Sequence, residues 1–112
     1  MSEYTRKQII MRVENGESLE DCDLSGLDLS ESILKGVTLA RADLTMANLK
    51  GANLMDADLS DADLQGADLT NANLRQAKLY GANLNKAVLE GANIWQTKRS
   101  RADLWQIWEE PD

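Results

Sequence analysis

The side chains able to do chemistry in this 112-residue chain are mostly carboxylates: 19 Asp and Glu against 12 Lys and Arg, one cysteine (Cys22) and no histidine. Aspartates recur at five-residue steps, as in Asp58, Asp63 and Asp68. Carboxylates repeated at a fixed step can hold a cation, share a proton as an acid–base pair, or present a strip of negative charge. Without histidine the chain lacks the commonest metal ligand and the side chain that titrates near neutral pH. Cys22 falls at a position otherwise held by small inward residues, where inert burial is expected. No acid and base pair on a cleft is legible, so no catalytic residue, cofactor or metal site is assigned, and the chain is read as non-enzymatic.

The elements that place these groups follow from the period. From Cys22 to Gln96 the chain divides into 15 pentads without a gap. The third residue is Leu from Leu24 through Leu89, then Ile94; the first is Ala in the 11 pentads from Ala42 to Ala92; the second is Asp or Asn in 11 of the 15. On an α-helix a five-residue step turns about 140° beyond a full revolution, so the leucines would scatter around the axis. On a straight strand an odd step flips the face each time, which would send Leu44 and Leu49 to opposite sides. Within one pentad, however, Ala, Asp or Asn, Leu reads in, out, in: a three-residue strand followed by two residues that turn a corner. Gly26, Gly36, Gly51, Gly66, Gly81 and Gly91 stand fifth, where a type II turn requires positive φ, and Asp56, Asp61 and Asn71 tolerate it. Each pentad is thus one side of a polygonal coil, and stacked coils pair their backbones at about 4.8 Å with Leu on Leu inside.

Size and composition agree with one such unit. At 112 residues a second core is not expected, and a core without Phe, in a chain with 4% aromatics, has to be assembled from a repeated small part. The net charge of −7 argues against nucleic-acid binding through a basic footprint. No stretch approaches the roughly 18 apolar residues of a membrane span, and no leader pattern precedes the repeat. With one unpaired cysteine, a cytoplasmic, acidic protein is the expectation.

The string A(D/N)LxxA(D/N)Lxx, as in Ala62-Asp63-Leu64 and Ala67-Asp68-Leu69, resembles the pentapeptide-repeat family over about two thirds of the chain. That resemblance implies an all-β fold, a right-handed quadrilateral β-helix with four pentads per coil. The 15-residue recurrence of Gly36, Gly51, Gly66 and Gly81 would by itself suit three sides; the four come from the resemblance.

Open solenoid ends expose unpaired backbone and bare leucines. Residues 1–21 are expected to form an N-terminal capping helix, over about 6 to 15, and a link: Thr5 and Gln8 make a capping-box pattern, Tyr4 and Ile9 a hydrophobic staple, and Gly16 follows the apolar face of Ile9, Ile10 and Val13. The β-helix is placed at 22–106, with a break at 97–101 where Arg99 takes a leucine position, before Ala102-Asp103-Leu104 resumes the register. Residues 105–112, with Trp105, Ile107 and Trp108, are read as a C-terminal cap, with a binding or dimerisation surface as the other reading.

With four sides, residues 20 apart stack into outward columns. Asp23, Asp43, Asp63, Asn83 and Asp103 form an acidic ladder; Asp28, Asn48, Asp68 and Val88 the next; Ile33, Asn53, Asn73 and Asn93 the third; Thr38, Asp58, Lys78 and Lys98 the fourth. Whole-face charges come to −3, −3, +1 and +3, which makes the rod electrically two-sided. Since some quinolone-resistance members of the family resemble duplex DNA and bind topoisomerases, the acidic faces have a functional reading as a nucleic-acid mimic. Their other reading is repeat chemistry, short side chains bonded to nearby backbone. An Asp stack could also attract a cation, but the Gly-x-Asp calcium signature of other β-solenoids is missing. The corner column Lys35, Met55, Arg75, Trp95 sets apolar groups around an arginine, able to stack as a cation–π pair. Met55, Arg75, Trp95, Trp105 and Trp108 are therefore the candidate interaction surface, set against ordinary surface packing. The reading is an interaction scaffold with an unknown protein partner, without direct nucleic-acid or membrane contact, as a monomer or discrete homodimer.

Overall fold

A computed structural model describes residues 4–99 of the chain. One pentad shows how the coil is built. In 62–66, Ala62 and Leu64 point inward and are buried, while Asp63 faces out. The Asp63 N–H donates to the Ala42 carbonyl of the coil below at 3.0 Å, and its own carbonyl accepts from the Leu44 N–H at 2.7 Å. Upward, the Leu64 N–H donates to the Asn83 carbonyl at 2.8 Å and the Gly66 N–H to the Asn85 carbonyl at 2.9 Å. The corner closes when the Ala67 N–H reaches back to the Leu64 carbonyl at 3.0 Å, with Gly66 at φ +70°. A hydrogen bond across four residues with positive φ at the third is the signature of a type II turn.

This unit repeats around a square. Parallel bridges join residues 20 apart on all four sides: Asp23–Asp43–Asp63–Asn83, Asp28–Asn48–Asp68–Val88, Ile33–Asn53–Asn73–Asn93 and Thr38–Asp58–Lys78–Lys98. Each side is a single bridged residue wide, because the flanking residues are already committed to corners. Inside, Leu54, Leu59, Leu64 and Leu69 are each 0% exposed.

Sixteen corners in succession, from Asp21 to Gln96, have positive φ. They include Glu31, Arg41, Met46, Gln76 and Lys86, for which glycine-like permissiveness was not expected from the sequence. The left-handed region costs such residues about 1 kcal/mol, and the coil holds them there because the flanking amides are locked into the neighbouring coils. Four glycines sit directly over a side chain of the coil below. A side chain at a left-handed corner leans over the corner one coil up: a Cβ on Gly66 would stand 2.3 Å from the Met46 Sδ, and one on Gly81 2.2 Å from the Asp61 carboxylate. At these corners the space above the lower side chain admits only glycine.

The coil also begins one pentad earlier than Cys22. Leu19 is fully buried, its N–H donates to the Thr38 carbonyl at 3.0 Å, and the Cys22 N–H closes a turn onto the Leu19 carbonyl. The pentad 17–21 has Glu first and Glu fourth, so nothing but its leucine marks it in sequence.

Helix α1 (Arg6–Glu14) precedes it. Thr5 caps it: its Oγ1 accepts from the Gln8 N–H at 3.2 Å, and the Gln8 Oε1 accepts from the Thr5 N–H at 2.8 Å. After Asn15 the chain turns at Gly16 (φ +74°), with Glu17 N–H to the Arg12 carbonyl and Gly16 N–H to the Val13 carbonyl, the paired bonds of a Schellman ending. Ile9 is fully buried in the same cluster as the leucines, with Tyr4 and Val13 against it. In the lowest coil the second and fourth carbonyls of each side point down, with no coil beneath. Arg6 donates to two of them, Asp28 at 2.9 Å and Ser30 at 2.7 Å, and Arg12 donates to Ser18 at 3.2 Å.

Candidate interaction surface

The ladders stand 20 residues apart, as the four-sided resemblance implies, and their carboxylates are already engaged. Each Asp or Asn at a second position bends forward to accept the backbone N–H two residues on: Asp23 from Ser25, Asp43 from Thr45 and Asp63 from Gln65 at 3.0 to 3.1 Å, and likewise Asn53, Asn73 and Asn93 from Met55, Arg75 and Trp95. Ser25, Ser30, Thr45 and Thr70 add a hydroxyl donor to the same oxygen. These bonds hold the strand-to-corner geometry. They also hold the Asp23, Asp28 and Asp68 carboxyls below the ordinary aspartate range, the hydroxyl bond contributing most and the amide next. Asp58 is likewise lowered; burial opposes ionisation there, and the Ser60 bonds with the Lys78 charge outweigh it. Asp103 of the acidic ladder lies outside the described residues.

Among the described residues no three of His, Cys, Asp and Glu are grouped to hold a metal ion, and no helix is long and apolar enough to cross a membrane. Cys22 is half-buried, less enclosed than its inward position suggests, because only α1 lies beneath its coil; the Arg12 Nη1 stands 3.8 Å from its Sγ.

The corner residues Met55, Arg75 and Trp95 lie on successive rungs, the backbone N–H of Asp56 bonding to the Arg75 carbonyl and that of Gln76 to the Trp95 carbonyl. Arg75 and Trp95 are exposed, Trp95 by 65%, and Met55 is half-buried. The cation–π contact recorded among the described residues is not there: it is Arg12 over the Tyr4 ring, 5.3 Å from the centroid. Trp105 and Trp108 lie outside the described residues. Arg99, in its leucine position, is half-buried and turns its guanidinium back to the Thr97 carbonyl, at 3.0 Å, and hydroxyl.

The two-sided charge distribution needs correction. The pentad 17–21 stacks beneath the fourth side and brings Glu17, Glu20 and Asp21, three negative charges, to a face that its other pentads put at +3. Arg41 is spent on that pentad, 3.0 Å from Asp21 and paired with Glu20, and these carboxylates raise its guanidinium pKa. The fourth face is acidic at its lower end and basic at its upper end, where Lys78, Lys98 and Arg99 stand. The sequence missed this because it missed the pentad. The other exposed large apolar residues among those described, Met11 on α1 and Ile33, Met46, Tyr80 and Val88 on the coil, lie apart on different sides or coils.

A family model described as pentapeptide repeats (8 copies) matches residues 18–56 and 57–96. Among solved structures, the chain is similar to a pentapeptide repeat protein from Nostoc Pcc 7120, at 37% identity and TM-score 0.79, covering 91% of both chains. It is also similar to one from the Arabidopsis thaliana thylakoid lumen, at 34% identity and TM-score 0.70, covering 88% of this chain and 63% of that one. No curated protein matches.

Proposed function

The chain belongs to the pentapeptide repeat family, whose fold is the right-handed quadrilateral β-helix, and we propose that it acts as a non-catalytic scaffold presenting a rigid face to a protein partner. One observation carries this reading. The side chains that could do chemistry, the ladder carboxylates, are bonded to their own backbone two residues on, so each serves its corner. What is left over is a stiff surface with exposed Trp95, Arg75 and a few isolated apolar groups, the residue types that anchor interfaces.

In this reading α1 closes the lower end, with Ile9 against the first leucines and Arg6 on the open carbonyls, and residues 105–112, outside the described residues, are proposed as the upper closure. Both closures would keep the rod a monomer or discrete dimer by denying a free edge to a second copy. The setting proposed is cytoplasmic.

The acidic-mimic reading, binding or protecting a type II topoisomerase, has the stacked Asp23, Asp43 and Asp63 in its favour. Against it, the ladder passes to Asn83, whose Nδ2 donates to Asp63 at 3.2 Å, so the negative strip is short. A gyrase supercoiling assay separates the two. The scaffold reading expects no inhibition and no drug protection at micromolar protein, together with stoichiometric recovery of a protein partner from the source cells. Submicromolar inhibition of gyrase would overturn it.

A further inference from the structure

Among the described residues, the upper half of the fourth side and its adjoining corner carry more cations than carboxylates. Lys78 and Lys98 are bridged partners on successive coils, so their side chains leave the same face one rung apart, about 4.8 Å. Like charges at that spacing repel. Arg75 and Trp95 occupy the adjoining corner on the same two rungs, and Arg99 follows Lys98. The ion pairs recorded among the described residues lie elsewhere, at Arg6, Arg41 and Lys50; beneath Lys78 stands Asp58, the nearest acidic rung. In a chain of net charge −7, a cluster in which cations outnumber the carboxylates around them, among the described residues, is a local feature. Its scaffold is fixed: Asn73 and Asn93 pin the backbones of Arg75 and Trp95 at 3.0 Å each, and Gln76 reaches Gln96 across the corner at 3.4 Å.

We propose that Arg75, Lys78 and Lys98, with Trp95 beside them, form a docking site for a short acidic segment of the partner protein. This rests on the scaffold reading and names the chemistry of its partner. Charge complementarity selects an acidic ligand. The extent of the site, two rungs or about 10 Å, fits two or three carboxylates with one apolar side chain against the indole. A nucleic acid would require a longer basic track, and the acidic first and second faces would repel its flanks. A second copy offering its acidic first or second face would make a heterologous side-to-side contact, which extends into filaments unless its rotation closes a ring.

The test uses the full chain and a fluorescein-labelled poly-glutamate decapeptide carrying one central leucine, followed by anisotropy at low salt. Saturable binding is expected, weakening steeply between 20 and 200 mM salt. K78E/K98E is expected to lose at least about tenfold in affinity, with K78Q/K98Q intermediate; K50E, on the second side, is expected to bind as the parent does. Circular dichroism and the unfolding midpoint of each variant establish that the coil is intact. Absence of binding to the parent, equal binding by K78E/K98E, or tighter binding of an oligothymidylate of equal charge would each overturn the proposal. Capture of a protein partner from the source cells equally well by K78E/K98E would remove this site and leave the scaffold standing, whereas failure of the intact chain to capture any partner would count against the scaffold itself.

Discussion

Replacing Leu64 with Ala tests the packing on which the coil depends. Leu64 is fully buried, with Leu44 one rung below and Leu84 one above, and Ala62 and Ala67 beside it. The substitution removes three carbons from the centre of the square. Its cost is a transfer loss plus a cavity term, and buried Leu→Ala changes span about 2 to 5 kcal/mol according to how far the surroundings collapse. Here collapse is resisted from both sides. The rung spacing is set by Leu44 N–H to Asp63 O at 2.7 Å and Leu64 N–H to Asn83 O at 2.8 Å, and drawing the rungs together to close the void would compress bonds that are already short. The adjoining alanines have no length to reach in. The expected loss is therefore in the upper part of the range, about 3 to 5 kcal/mol. Leu89, half-buried near the top of the described coil, makes a smaller void already open to water, and Leu89→Ala should cost about 1 to 2 kcal/mol. Guanidinium unfolding followed by far-ultraviolet circular dichroism reads both. A Leu64→Ala loss below about 1 kcal/mol, or equal losses at the two positions, would refute the argument that the ladder fixes the core spacing.

Two further outcomes follow from the hydrogen bonds. Asp23, Asp28 and Asp68 have folded pKa values below the unfolded one, so their contribution is present above the unfolded value and is lost as pH falls through the folded one; stability should hold from neutrality to about pH 5 and decline below about pH 4. The triple Asn variant keeps the turn acceptors without titrating and should flatten that decline; an acid limb as steep as the parent's would exclude these carboxylates as its origin. Arg6→Met keeps the stem but removes the donors to Asp28 and Ser30. Because Arg6 is 42% exposed and water can replace part of the bond, the expected loss is about 1 kcal/mol, and an unchanged unfolding midpoint would show that the open edge is not held by this arginine.

Most of the coil was legible because its constraint is geometric: a leucine at every fifth residue excludes both the helix and the flat strand. What was not legible follows from the same geometry. Sequence logic assigned positive φ to Gly, Asp and Asn, yet Met46 and Arg41 occupy the same conformation, since backbone bonds to two neighbouring coils outweigh a local cost of about 1 kcal/mol. Leu19 was passed over because its pentad carries Glu17 where other pentads place a small residue. At the lowest rung that position is not enclosed by a coil beneath, so the small-residue requirement is absent there.

That one pentad also decides the surface. A face's charge is a sum over its rungs, so omitting the lowest rung of the fourth side turned an axial gradient into a uniformly basic face. With Glu17, Glu20 and Asp21 in place, Arg41 is neutralised locally, while among the described residues Lys78 and Lys98 make no ion pair and face only Asp58 one rung below Lys78. In a solenoid every side chain outside the core is a surface side chain, and composition cannot distinguish those spent on corners from those left free. The ladder aspartates and the upper lysines have the same spacing, but Asp23 and Asp68 bend back to their own amides while a lysine, with no acceptor and a long stem, cannot. Docking chemistry on this fold is therefore to be sought where a second-position residue departs from Asp or Asn, and Lys78 and Lys98 are two successive departures on one face.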